Sequence, residues 1–165
     1  MTRILGVDPG TATTGFGLLE TDGPGSSAQV RLVEFGVIRT APTTPMAYRL
    51  REIHEALTTL IRELEPDVAV VEELYFSANV STAITVGQAR GVILLTAAEA
   101  GLPVYEYAPN KVKQAVTGDG SADKRQMQDM LRIVLRLTDV PRPDDAADAI
   151  ATALAHVHMG RFVDL

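Results

Sequence analysis

The order of patterned segments predicts an α/β fold, a mixed five-stranded sheet with helices on both faces. Three observations carry that expectation. The first 40 residues read as three strands joined by short turns, which predicts an antiparallel meander. The remainder alternates short apolar runs with helical periodicity, which predicts two more strands of the buried, parallel type. No repeat, low-complexity tract or linker divides the chain, so residues 1–165 are read as one domain.

Each element has its own signal. "RILGVD" (3–8) is a strand closed by the turn dipeptide "PG". "TTGFGLLET" (13–21) is a second strand, "DGPGSS" (22–27) is turn chemistry, and "QVRLVEFGVIRT" (29–40) is a third strand. After "APTTP", Leu50, Ile53, Leu57, Leu60, Ile61 and Leu64 form one helical stripe over 46–65, which Pro66 ends. "DVAVVEE" (67–73) is a short apolar strand, 80–100 a long helix, and "GLPVYEY" (101–107) the fifth strand. "GDGS" separates helices at 109–117 and 122–137, and Pro141 and Pro143 precede a final helix at 144–159. The predicted order is βββαβαβααα.

Composition excludes several functions. The 165 residues include no cysteine, so disulfide frames, zinc ribbons and thiol nucleophiles are ruled out. No uninterrupted apolar run reaches the roughly 18 residues of a membrane span. "MTRILGVDPG" enters strand-like sequence at once with no signal-peptide pattern, so the expectation is a soluble, cytoplasmic protein without membrane attachment. The net charge of −6 argues against nucleic acid, but its distribution does not. Residues 108–137 hold Lys111, Lys113, Lys124, Arg125, Arg132 and Arg136 against Asp119, Asp123 and Asp129, a local +3 that leaves −9 elsewhere. This segment reads either as a solvated helix surface or as a basic face.

The last helix, "DDAADAIATALAHVH", poses the functional question. It is apolar nearly all round, as a buried helix is, yet it opens with Asp144, Asp145 and Asp148. Residues three apart share a helix face, so Asp145 and Asp148 can point at one spot. Asp8 ends the first strand and Glu72 lies at the end of the fourth. In such sheets, sites gather beyond the carboxyl ends of the parallel strands. Acids from three segments would converge there if the last helix starts at that edge. Converging carboxylates repel, and a divalent cation resolves the conflict. Oxygen-only donors suit Mg²⁺ or Mn²⁺, held as two ions about 3.5–4 Å apart in phosphoryl-transfer sites. Other roles stay open: Asp8 as a turn residue in "DPG", and Asp144 or Asp145 as the helix N-cap. Strand alternation turns Glu73 away from Glu72.

The stretches "ILGVDPGTATTGFG" (4–17), "VVEELYFSAN" (70–79), "GQARGV" (87–92), "VYEYAPNKVKQAVTG" (104–118), "SADKRQMQDML" (121–131) and "DDAADAIATALAH" (144–156) together resemble the RuvC family of Holliday junction resolvases over nearly the whole chain. The resemblance implies a ribonuclease H-like fold. It implies that Asp8, Glu72, Asp145 and Asp148 hold Mg²⁺ or Mn²⁺ for hydrolysis of a DNA phosphodiester. It further implies a homodimer that nicks two strands of like polarity in a four-way junction, leaving 5′-phosphate and 3′-hydroxyl ends. A branch-migration motor of the RuvA and RuvB type is the implied partner. Lys113 and Lys124 match family lysines that contact DNA near the site. Tyr75 matches an aromatic that is commonly Phe in relatives, and Phe76 follows it. Lys111 and Arg125 extend the basic segment toward DNA, and Arg90 in "GQAR" serves the dimer or the DNA. "GVDPGTATTGFG" is also similar to the first phosphate loop of actin-like sugar kinases, but those enzymes duplicate the domain and this chain has one copy.

Overall fold

The computed structural model describes residues 1–74 and 79–160. The order is β1 (Thr2–Asp8), β2 (Thr13–Thr21), β3 (Val30–Arg39), α1 (Met46–Leu64), β4 (Val68–Glu72), α2 (Val80–Glu99), β5 (Val104–Tyr107), α3 (Pro109–Thr117), α4 (Lys124–Val134) and α5 (Asp144–Met159). The sheet runs β3-β2-β1-β4-β5. β1, β2 and β3 form the expected antiparallel meander. β4 and β5 run parallel to β1, so the carboxyl ends of β1, β4 and β5 share one edge.

Two apolar clusters fill the two faces. Ile4 on β1 and Val68 and Val70 on β4 pack with α5 and residues of α3 and α4. Leu5, Val7 and Val71 pack on the opposite face with Ile53, Leu57 and Ile61 of α1 and Ala89 and Ile93 of α2. Strand parity follows directly, because side chains two apart share a face. Asp8 falls on the face of Ile4, and Glu72 on the face of Val68 and Val70. Both acids therefore finish their strands on the α5 side.

α5 crosses that face unusually close to the sheet. Residues 146–157 are buried except Asp148, which is partly exposed, and six of them are alanines. The strands under it supply glycine. A Cβ added to Gly6 would lie 2.0 Å from the Ala149 carbonyl oxygen, and one on Gly15 would lie 1.9 Å from that of Asp145. Real side chains do not approach backbone that closely, so these positions seat the helix. The glycines of the sequence that resemble a phosphate loop thus have a packing role here.

Three elements depart from expectation. α4 spans Lys124–Val134 instead of 122–137. It starts at a capping box, in which Asp123 accepts from the Gln126 amide at 2.8 Å and Gln126 Oε1 accepts from the Asp123 amide at 2.8 Å. It stops where Arg136 takes a left-handed φ of 53°. β5 begins at Val104, because Gly101, with φ 73°, and Pro103 belong to the turn that leaves α2. By length and composition α2 is apolar enough to cross a membrane, with mean hydropathy 1.3. Thr, Gly, Gln88 and Arg90 interrupt its apolar run, which is why no span was expected. Arg90 on this helix pairs with Glu106 of β5. Val80, Ile84 and Leu95 on α2 remain more than half exposed.

Candidate active site

The three expected segments meet. Carboxylate oxygens of Asp8, Asp145 and Asp148 all lie within 4.8 Å of one another. Glu72 joins them through a hydrogen bond with Asp8. Asp145 and Asp148 occupy the first turns of α5, three residues apart on one face. The N-cap of that helix is Pro143, without a side-chain cap, so neither Asp144 nor Asp145 serves as the cap. The helix N-terminus itself favours negative charge.

Crowding and burial act together on these acids. Asp8 is pushed up to about 9, first by burial and then by the charges of Glu72, Asp148 and Asp145. Burial also raises Glu72, aided by Asp148 and opposed by the bond to Asp8 and by Lys113. Asp148 is raised by burial and by Asp145 and Asp144, while Lys124 and Lys113 pull it down. Near neutral pH and without a cation, Asp8 therefore keeps a proton and shares it with Glu72.

Two lysines flank the acids. Lys113 of α3 and Lys124 of α4 line a cavity of about 300 Å³ together with Glu72, Asp148, Val112 and Met127. The Lys124 ammonium donates to Asp144 Oδ2 at 2.8 Å. Gln128, one turn further along α4, donates to Asp144 Oδ1 at 3.1 Å. Asp144 thereby stays ionised below the usual carboxylate range, and Lys124 is raised. Gln128 carries no sequence signal for this contact, because a cross-helix partner leaves no periodicity.

The other residues expected at the site scatter. Lys111 lines a different cavity, with Glu73, Glu106 and Tyr107, because positions two apart on α3 face opposite sides. Glu73 lies there too, away from Glu72 as strand alternation requires. Arg90 spends its charge on Glu106, and Arg125 is exposed on α4. Tyr75 and Phe76 lie outside the described residues.

The donor set is compatible with a divalent metal. All donors are carboxylate oxygens, and their mutual repulsion is what a hard cation relieves. A mixed sheet in this strand order, with acids from β1, β4 and the last helix gathered at its parallel edge, defines a ribonuclease H-like nuclease.

Known proteins narrow the class. A family model described as Crossover junction endodeoxyribonuclease RuvC matches residues 4–156. A protein of that name from Chloroflexus aggregans is 56% identical over 156 residues, covering 94% of this chain and 93% of its own. Another, from a Roseiflexus species, is 54% identical over 158 residues, covering 95% and 91%. The Thermus thermophilus RuvC solved in complex with a Holliday junction substrate superposes with TM-score 0.90 at 36% identity, covering 98% of this chain and 96% of that one. The chain belongs to the RuvC family of crossover junction endodeoxyribonucleases.

Proposed function

We propose that this nuclease cuts four-way DNA junctions by paired, symmetric hydrolytic nicks, with Asp8, Glu72, Asp145 and Asp148 as its metal-binding acids. The observation that carries the reading is the meeting of these carboxylates at one sheet edge beside Lys113 and Lys124. Mg²⁺ or Mn²⁺, two ions per site, would supply Lewis-acid activation of water and offset charge on the departing 3′ oxygen. The protein's part is to bring the acids together on a rigid helix and two strand ends. Asp8 and Glu72 would hold the cations as carboxylates, which requires the loss of their shared proton. Lys113 and Lys124 meet phosphate oxygens beside the cut. The products are a 5′-phosphate and a 3′-hydroxyl.

A homodimer presents two such sites to one junction. Ile84 and Leu95 of α2 are exposed, and positions 84, 88, 91 and 95 fall on one stripe at the spacing that packs helix against helix. That face suits a second copy of α2. Among the expected DNA contacts, Lys113, Lys124 and Arg125 lie on helices at or beside the cavity, while Lys111 lines a different cavity and Arg90 pairs with Glu106. Tyr75 and Phe76 follow Glu72 in sequence and remain proposed contacts to unpaired bases. The reading extends to a one-domain, cytoplasmic enzyme that works with a branch-migration motor, as the sequence resemblance implies.

The test is an end-labelled four-way junction incubated with the pure protein and Mg²⁺ or Mn²⁺. Paired nicks at symmetric positions, with linear duplex left intact, are expected. Equal cutting of linear duplex would refute junction selectivity.

A further inference from the structure

We propose that Asp144 is a positioning residue for cleavage: it fixes the Lys124 ammonium at the mouth of the acid cavity, where a phosphate oxygen can meet it. The inference rests on the nuclease reading above and assigns a task to an acid outside the four.

Asp144 is the first residue of α5, yet it does not cap that helix. It is not one of the three acids whose oxygens lie within 4.8 Å of each other. Both of its oxygens are instead taken by one face of α4. Oδ2 accepts from Lys124 at 2.8 Å and Oδ1 accepts from Gln128 at 3.1 Å. Lys124 and Gln128 are four apart on α4, so they stand one above the other on the same side. The capping box at Asp123 and Gln126 fixes where that face starts. Backbone, Gln128 and Asp144 together aim one flexible side chain.

A lysine in this place needs aiming. Its ammonium feels Asp148 and Asp145 as well as Asp144. Released from Asp144, it would settle on Asp148, one of the acids expected to hold metal, or swing into solvent. Either move takes it from the substrate. An ammonium has three donors, so one bond to Asp144 leaves two for a phosphate oxygen.

A purely structural clasp between α4 and α5 would give the same contacts, so the test must separate the two. Cleavage of a labelled junction at saturating Mg²⁺ is measured for wild type, Asp144→Asn, Lys124→Ala and the double variant, with a melting curve for each. Asp144→Asn is expected to lower kcat by about tenfold, since a misplaced group near the chemistry is costly. KM should stay within about twofold of wild type, because Lys124 is one of many cationic contacts. In the Lys124→Ala background, Asp144→Asn should change kcat by less than about twofold, the signature of two residues acting as one. Equal loss in both backgrounds would mean that Asp144 acts independently, for example on metal, and would overturn the proposal. A lower melting temperature with unchanged kcat would reduce Asp144 to a clasp and overturn it too. A wild type that leaves the junction uncut would sink the nuclease reading and the proposal with it. Additive losses in a cutting wild type overturn the proposal alone.

Discussion

Asp8 at the end of β1 stands directly opposite Gly15 on β2, and Gly15 is where the backbone of Asp145 crosses the sheet. The missing side chain at Gly15 lets the α5 N-terminus come down beside the end of β1. Two acids 137 positions apart in the chain are thereby brought to one place. The same α5 face carries Asp148, and β4, hydrogen-bonded alongside β1, brings Glu72.

Loss of any one of these carboxylates should stop chemistry without stopping binding. Asp8→Asn, Glu72→Gln, Asp145→Asn and Asp148→Asn are each expected to lower junction cleavage by roughly 10³-fold, the cost of removing a group aimed at transition-state charge. Junction affinity should hold, because it comes from cationic contacts. Glu73→Gln should cut at near wild-type rate, since Glu73 lies in a different cavity. Gel shifts beside cleavage rates check this, and normal turnover by a folded Asp8→Asn variant would remove it from the metal site.

The cation-free protein should lose stability as pH rises. Asp8 titrates near 3.8 in its ordinary state and at about 9 when folded, so the native state holds an extra proton between those values. The resulting stability is fully present below about pH 4 and disappears as pH climbs through about 9. Glu72 and Asp148, also raised, act in the same sense. In EDTA, the melting temperature of wild type relative to Asp8→Asn should fall from about pH 5 to about pH 9. Mg²⁺ should restore more stability at the alkaline end, because its binding releases the shared proton. A pH-independent difference would show that Asp8 is already ionised.

Much of this site is legible in the sequence because parity is. Ile4, Gly6 and Asp8 alternate with Leu5 and Val7, and Val68, Val70 and Glu72 alternate with Ala69 and Val71. Once α5 is read as buried, its opening acids must sit at an end of the sheet. What stays hidden is pairing between elements. Nothing in "DDAAD" says that Asp144 will grip Lys124 and Gln128 while Asp145 joins Asp8. Arg90 looks like an available cation until β5 places Glu106 against it. The glycines of "GVDPGTATTGFG" suit a phosphate loop or a helix seat equally well, and only the position of α5 decides between them.

Affinity for the junction should be salt-sensitive, and the two flanking lysines should carry part of that sensitivity. Lys113→Ala and Lys124→Ala are each expected to reduce the log–log salt slope of junction binding by about 0.9 if the phosphate met is on a duplex arm. Both should also slow cleavage. Lys111→Ala should leave the rate near wild type, because that side chain lines the cavity with Glu73 and Glu106. Titrations at several salt concentrations decide it, and a slope unchanged by either Lys113→Ala or Lys124→Ala would make that face merely solvated.

Gly15→Ala tests the seat of the helix. The added methyl would lie 1.9 Å from the Asp145 carbonyl oxygen and 2.4 Å from its carbonyl carbon, both backbone atoms that cannot rotate aside. α5 must lift or tilt at its N-terminus, and overpacking of this kind costs about 1–3 kcal/mol. The lift separates Asp145 and Asp148 from Asp8, so metal affinity should fall together with stability. Gly23→Ala is the control, since a Cβ there meets nothing within 4 Å. Melting curves and Mn²⁺ calorimetry in the absence of DNA read the two effects separately. The expected result is a lower melting temperature and weaker Mn²⁺ binding for Gly15→Ala, with Gly23→Ala matching wild type in both. Should Gly15→Ala bind Mn²⁺ as tightly as Gly23→Ala, the close passage of α5 over β2 is not what assembles the acids.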